Sequence, residues 1–465
     1  VRLKTLEAYK PYQGDVSMVL PGACHATVAA GMAALQIFYS SSTGLWKTTG
    51  WWNSANALET TIDYSSITNT DTYRSVISNT FEKQKQTKFL TKLMYDDDGW
   101  WALTWIKAYD LTGEKRYLDA AKTIFNEMKR GWDSTCGGGM WWKKNRTYKN
   151  AITTELFLTV AVRLHQRTVN DYGKGSYIDW AKRSWKWLKK SGMINRNHLV
   201  NDGLNDQCRN NGQTTWTYNQ GVILGGLVDL YKSTKDPAYL AEANQIASSA
   251  IRYLSAKGIL REPCEPNCGE DGPQFKGIFI RNLSYLYQTT RNPQYKAFIL
   301  KNADAIWSNS RNGSNQLGLM WGERFDKADA SRQSAAIDAL NAATLINREP
   351  SIYQITNGTL HGLSIEKNNG KNYVSGWNRD GQWVDLKVNA VCSGRYTLDV
   401  RYSAAAGDAF RFVFVNGKSL VNNQLFPSTS SWNEWKNIKI SNVPLNAGDN
   451  MVSILFNRKK GSRNW

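Results

Sequence analysis

Between residues 20 and 347 apolar positions recur every three or four residues, in runs separated by Gly, Pro, Asn and Asp. That period predicts helix after helix. The segments fall near 24–40, 51–65, 72–85, 98–110, 114–130, 151–168, 175–190, 215–232, 237–256, 274–289, 293–309 and 329–346, twelve in all. An internal repeat supports the count. Tyr109-Asp-Leu-Thr-Gly-Glu-Lys-Arg-Tyr117 resembles Tyr231-Lys-Ser-Thr-Lys-Asp-Pro-Ala-Tyr239 and Tyr287-Gln-Thr-Thr-Arg-Asn-Pro-Gln-Tyr295. Each copy reads as a helix end, a polar turn and a new helix opened by Tyr, with Tyr177 in the same place of a fourth copy. The second tyrosines are 60, 62 and 56 residues apart, the length of two helices and their loops. Six such pairs predict a closed toroid of helical hairpins, an (α/α)6 barrel, with an open solenoid as the alternative.

The pattern changes near Pro350. Arg395–Tyr402 alternates with period two, and Phe410, Phe412 and Phe414 alternate into Asn416-Gly417, a hairpin-turn signal. Met451–Phe456 reads as a further strand. The chain is therefore expected to divide into residues 1–349, a helical barrel, and 350–465, a β-sandwich of jelly-roll type. The short linker Asn347–Pro350 joins them.

Composition narrows the function. No apolar run approaches the ~18 residues of a membrane span; the best, Gly221–Leu230, is short and holds Asp229. Val1 and the residues after it form no apolar leader, which reads as a mature or trimmed chain. The net charge is +19, spread evenly and without a block of five like charges, so no nucleic-acid surface is expected. An anionic cell-wall polymer is the partner such a charge would suit. Twenty Trp and 22 Tyr in 465 residues favour a carbohydrate-active protein, because aromatic faces stack on the C–H faces of sugars. Four His and six Cys exclude a His-based metal centre, and no metal or cofactor is expected. Cys264 and Cys268 are spaced for a local disulfide in a secreted protein, or for reduced thiols otherwise.

The strongest chemical signal is Tyr95-Asp96-Asp97-Asp98-Gly99-Trp100-Trp101 at the start of the fourth helix. Capping explains one or two aspartates. Three beside two tryptophans exceed that need. Neighbouring carboxylates repel, so one can stay ionised while another keeps a proton, the division of labour that glycoside hydrolysis requires.

Asp-Asp-x-x-Trp-Trp, followed by Ala-Leu-x-Trp-Ile-x-Ala-Tyr-Asp-Leu-Thr-Gly, resembles glycoside hydrolase family 76. The family contains endo-α-1,6-mannanases and related cell-wall transglycosylases. Further similar stretches are Trp52-x-x-Ala-Asn56-x-Leu-Glu59, Gly137–Trp142, Lys149–Ile152, Asp202-Gly203-Leu204 and Thr217–Gly221. The resemblance covers residues 20–347 and implies an (α/α)6 barrel and a retaining mechanism. It implies Asp96 as nucleophile and Asp97 as general acid/base, leaving Asp98 as a cap, and puts Asp202 at the sugar site. Trp52, Asn56, Trp142, Tyr218 and Asn219 are the other expected sugar contacts. Of Trp100 and Trp101, one faces the cleft and the other packs in the barrel; Trp101 is taken as the sugar-facing one. Lys276 and Arg281 are candidates for an anionic group on the ligand, or solvated helix faces. The implied partner is α-mannan or a mannooligosaccharide, acted on by a secreted monomer; a transglycosylase with the same aspartates and a non-catalytic wall-binding protein are the alternatives.

Asn372–Val384, Phe426–Trp435 and Val443–Asn450 resemble carbohydrate-binding modules of families 6 and 35. Many of those modules open with Glu-Ala-Glu, which holds a structural calcium. Here the stretch is Gln354-Ile355-Thr356, a poor set for that ion. The family pattern continues past Arg463-Asn464-Trp465 into a final strand, which is expected to be missing. Trp377 and Asn464 match positions near the usual ligand loops.

Overall fold

The computed structural model describes residues 15–19, 25–347, 351–368, 370–390 and 393–456. Cys24, Cys392, Asn464 and the linker residues Arg348–Pro350 lie outside them. The chain splits into two compact units, one of Thr27–Ala343 and one that takes the residues before and after it.

Twelve α-helices are present among the described residues: α1 (Ala26–Gln36), α2 (Trp51–Thr68), α3 (Arg74–Gln84), α4 (Tyr95–Thr112), α5 (Lys115–Met128), α6 (Ala151–His165), α7 (Tyr177–Lys190), α8 (Thr217–Thr234), α9 (Ala238–Tyr253), α10 (Phe275–Thr290), α11 (Pro293–Asn309) and α12 (Ala330–Asn347). They follow the apolar period closely. The repeat tyrosines Tyr117, Tyr177, Tyr239 and Tyr295 all lie in the first turn of α5, α7, α9 and α11. Termini obey local chemistry. Asn150, Ser176 and Asn292 cap α6, α7 and α11 by accepting from backbone N–H groups two or three residues on. Gly113, at φ +74°, ends α4 in the left-handed region that glycine adopts freely.

Burial separates the helices into two kinds. On α5 the buried positions are Tyr117, Leu118, Ala121, Ile124, Phe125 and Met128, a one-sided stripe. On α6 every residue from Ala151 to Leu164 is buried, the mark of a helix covered all round. The covered helices are neighbours: α2 packs on α4, α4 on α6, α6 on α8 and α8 on α10. Asp338 of α12 accepts from Thr60 of α2 and from Arg281 of α10, so α12 touches both.

The helical unit also carries two short hairpins, β2 (Tyr39–Ser40) with β3 (Leu45–Trp46), and β4 (Ser255–Ala256) with β5 (Ile259–Leu260). The second unit is β-structure: β6 (Ser351–Gln354), β7 (Thr359–His361), β8 (Ser364–Asn368), β9 (Lys371–Ser375), β10 (Trp383–Ala390), β11 (Gly394–Tyr402), β12 (Ala409–Val415), β13 (Lys418–Phe426), β14 (Lys436–Leu445) and β15 (Gly448–Phe456). Its larger sheet has the order β13-β12-β15-β10-β7. The Asn416-Gly417 turn joins β12 to β13 with φ of +49° and +77°, as a tight hairpin demands. The period-two reading of 410–414 is right in register, yet the fully buried face of β12 is Ala409, Arg411, Val413 and Val415, while the phenylalanines are half-buried.

The smaller sheet has the order β14-β11-β1-β6, where β1 is Asp15–Val19 from the N-terminal part of the chain. Val16 and Met18 are buried in the core of this unit with Leu398, Val400 and Ile440. The division expected at 349/350 leaves that strand on the wrong side. Strand pairing is non-local, and a five-residue strand more than 330 residues from its partners carries no periodic signal of where it docks.

Candidate active site

The N-terminal ends of α2, α4, α8 and α10 meet. Trp52 lies 5.4 Å from Trp100 and 6.1 Å from Phe275 between ring centroids. Tyr218 stacks on Phe275 at 3.8 Å and faces Trp100 at 6.2 Å. Helix N-termini carry unpaired N–H groups and positive dipole ends, so this is a favourable place to hold carboxylates.

Asp96 and Asp97 stand in the first turn of α4. Asp96 is buried, and its Oδ2 accepts from the Trp142 indole N–H at 2.9 Å. Burial raises its pKa; the Trp142 bond and the N–H groups of Asp97 and Asp96 pull it back. Asp97 is half-buried. Burial raises it too, and the negative charges of Asp96, Asp98 and Asp271 all push it further up. Burial raises both acids and like charges raise Asp97 further, so one of the pair can be ionised while the other holds a proton. Such a pair supplies an anion and an acid side by side, the equipment of acid-assisted displacement at a sugar carbon.

Asp98 has a different task. It is fully buried; its Oδ1 accepts from the Thr91 N–H at 2.6 Å and its Oδ2 pairs with Lys144 at 2.9 Å. It ties the preceding loop and the Lys144 loop to α4 instead of capping the helix.

Trp142 reaches Asp96 on a loop whose course depends on Gly139. At φ +82°, a Cβ there would lie 2.2 Å from the Trp187 ring. The Cys136–Cys208 disulfide fastens this loop to the segment that follows Asp202. Lys149, buried beneath it, donates to Asp133 and to the carbonyls of Thr135 and Gly138. Trp141 is turned away and donates to Asp133. Asp202 accepts from the Tyr148 hydroxyl at 2.6 Å; burial raises its pKa, and Tyr148, Trp216 and Asn219 oppose the rise. Burial drives Tyr218 well above its ordinary pKa, and the carboxyls of Asp202, Asp96, Asp271 and Glu155 add to that rise, so these acids gather around one ring.

Of the expected contacts, Trp52, Trp142, Asp202, Tyr218 and Asn219 come together around Asp96 and Asp97 by these contacts. Three do not. Trp101 is fully buried against Trp51, Phe89 and Trp105; Trp100 is buried too, but against Trp52 and Tyr218, and so backs the site's aromatic residues. Asn56 is buried one turn below Trp52 and accepts from Arg281. Trp377, expected near the ligand loops of the β-module and not at this site, is buried in a core cluster with Ile355, Val374 and Val384, under the Arg411 guanidinium, and lines the pocket of the β-unit. Nor are Lys276 and Arg281 available to a ligand. Arg281 is enclosed by Glu59, Asp338 and Asp63, and Lys276 by Glu265 and the Leu319 carbonyl. Sequence reasoning missed Phe275, Asp271, Tyr148 and Trp216. Asp271, which accepts from the Trp52 indole at 2.8 Å, sits in the loop just before α10, where Glu-Asp-Gly-Pro was a visible turn signal. Glu262, also missed, accepts from the Thr217 N–H and hydroxyl and so caps α8 from a distant loop.

The β-unit has a pocket of its own, walled by Ile355, Tyr373, Trp377, Val400, Trp432 and Trp435 among others. Trp432 is exposed there.

A mainly helical scaffold presenting paired acids among aromatic side chains is the equipment of a carbohydrate-cleaving enzyme. The chain belongs to glycosyl hydrolase family 76, whose model matches residues 25–356. The model of carbohydrate binding module family 35 matches 351–461. A mannan endo-1,6-alpha-mannosidase of Eremothecium gossypii is 28% identical over 265 residues, 51% of this chain and 58% of that protein. The chain thus spans less than two thirds of that relative. The GH76A alpha-1,6-mannanase of Salegentibacter sp. superposes with a TM-score of 0.63 at 23% identity, over 70% of this chain and 99% of its own. An inactive variant of the same mannanase, with two adjacent aspartates replaced by asparagine, forms a complex with alpha-1,6-mannotriose; it superposes at 0.62, with 22% identity and the same coverage.

Proposed function

We propose that this chain is a retaining endo-α-1,6-mannanase, in which the six covered helices close into an (α/α)6 barrel and the β-unit is a jelly-roll module that holds the polymer. The observation that carries the reading is the Asp96–Asp97 pair, with an indole donor on the first and only like charges around the second. Asp96 attacks the anomeric carbon as its carboxylate. Asp97 gives its proton to the departing glycosidic oxygen, and the C–O bond breaks. The product is a mannosyl ester on Asp96. Asp97, now ionised, takes a proton from water as the water oxygen attacks the same carbon and Asp96 leaves. Two inversions retain the configuration. Trp52 and Tyr218, backed by Trp100 and Phe275, offer apolar faces to the sugar rings, and Asp202 accepts from hydroxyls. The inactive double variant of the Salegentibacter enzyme bound to mannotriose supports the roles of the two acids.

Residues 351–461 add a sugar pocket around Trp432. Secretion is supported by the two disulfides among the described residues, Cys136–Cys208 and Cys264–Cys268. No helix of the described residues is long and apolar enough to cross a membrane. The charge of +19 suits retention on an anionic wall polymer, with the protein acting as a monomer.

Incubation with α-1,6-mannotetraose tests the reading. Wild-type protein yields shorter oligosaccharides, and Asp96→Asn or Asp97→Asn loses ~10²–10⁴-fold in kcat with an unchanged melting curve. Near-wild-type turnover in either variant rejects the assignment. Longer products on addition of an acceptor oligosaccharide would make the protein a transglycosylase using the same ester. No reaction at all would leave a wall-binding protein.

A further inference from the structure

Strand β1 precedes the helical unit in the chain and pairs inside the β-unit. It is not an edge addition. Val16–Val19 pair antiparallel with Val400–Thr397 of β11 on one side, and Asp15–Met18 pair with Gln354–Ser351 of β6 on the other. Val16 and Met18 enter the hydrophobic core beside Leu398 and Val400. Taking β1 away would leave β6 and β11 about two strand spacings apart, ~9.6 Å, each with a row of unpaired N–H and C=O groups. It would also open the core where two apolar side chains had been.

Those two strands lead directly into the pocket of the β-unit. Ile355, a wall residue, follows Gln354, the last residue of β6. Val400, another wall residue, is the register partner of Val16, and Arg401 is next along β11. We propose that the N-terminal strand is a working part of the carbohydrate-binding module, clamping β6 to β11 and thereby setting the separation of the pocket walls formed by Ile355 and by Val400 and Arg401. The occupant of the slot between β6 and β11 is thus a named segment of this same chain. The module is not contained in residues 351–465 alone. The functional half of the proposal rests on reading the Trp432 pocket as a sugar site; the structural half does not.

The experiment uses the full-length protein carrying Val16→Asp and Met18→Asp together, with Met18→Leu as the conservative control. Three readouts are taken: retention on insoluble α-1,6-mannan, kcat/KM on soluble α-1,6-mannotetraose, and hydrogen exchange of the β6 and β11 amides. The expected result is loss of retention and of exchange protection in β6 and β11, while kcat/KM stays within about twofold because the strand belongs to the β-unit and supplies no residue to the active site. Met18→Leu retains all three. Unchanged protection in the double variant overturns the proposal. So does loss of retention with protection intact, since the effect would then not pass through the sheet. Should kcat/KM fall as well, exchange across α2 to α10 separates the cases: protected helices uphold the proposal, and helices that exchange with β6 and β11 overturn it as a specific clamp. If the wild type itself is not retained on mannan, the sugar reading of the pocket fails and the exchange result alone decides the clamp.

Discussion

Replacing Trp142 by Phe removes the indole N–H that Asp96 accepts at 2.9 Å while keeping an aromatic face in the same place. A hydrogen bond to a charged acceptor contributes ~1.5–3 kcal/mol. At 1.36 kcal/mol per pKa unit, losing it raises the Asp96 pKa by ~1–2 units. The sign follows from the proposed role: Asp96 must be ionised to attack, so a higher pKa moves the acid limb of kcat/KM upward by that amount. Asp97 must be protonated, and its rise comes from burial and from the charges of Asp96, Asp98 and Asp271, which Phe does not alter. The basic limb should move less, and the bell should narrow from its acid side. The two limbs belong to the coupled pair, so both are fitted together. The assay is kcat/KM for α-1,6-mannotetraose from about pH 3 to 9, with single-turnover measurements to isolate formation of the ester. An unmoved acid limb with only a raised KM would refute the reasoning and reduce Trp142 to a surface on which the sugar stacks.

Asp98→Asn should lower the melting temperature far more than kcat, because Asp98 binds Thr91 and Lys144 and not the substrate; the expected loss is ~1–3 kcal/mol by thermal or denaturant unfolding. Gly139→Ala should destabilise the protein and lower kcat together, since its Cβ would meet Trp187 at 2.2 Å and displace the loop that carries Trp142; equal activity and stability would contradict that geometry. Stability should rise as pH falls from about 8 toward 5. Burial raises Asp98 and Asp338 to about 6 and Glu262 to about 8, so each binds its proton more tightly folded than unfolded and favours the fold as it protonates. Below pH ~4 the trend should reverse, because Arg281 and Lys107, overcoming burial, hold Glu59 down at about 2; a melting temperature that climbs steadily from pH 5 to 8 would contradict the scheme.

The twelve helices, the change to β-structure near residue 350 and the Asp96–Asp97 pair were legible in the sequence alone. Helical period and capping are local properties, written within a few residues of where they act. Adjacent acids beside tryptophans at a helix start are local too. What a side chain meets across a helix seam is not local. Trp100 and Trp101 have the same chemistry and neighbouring positions, and only the rotation of α4 against α2 and α8 turned one toward Tyr218 and the other toward Trp105. Asn56 and Arg281 read as ligand-facing polar groups until α2, α10 and α12 brought Glu59, Asp63 and Asp338 around the guanidinium. Asp271 and Phe275 joined the site through contacts with Trp52 and Tyr218, each more than 50 residues distant in the chain. Strand β1 is the extreme case. Val16 and Met18 are apolar at alternating positions, but the free energy that selects β6 and β11 as neighbours of this strand comes from a core assembled by residues 351–456. Periodicity encodes which face of an element is buried; only the packed molecule decides what lies against it.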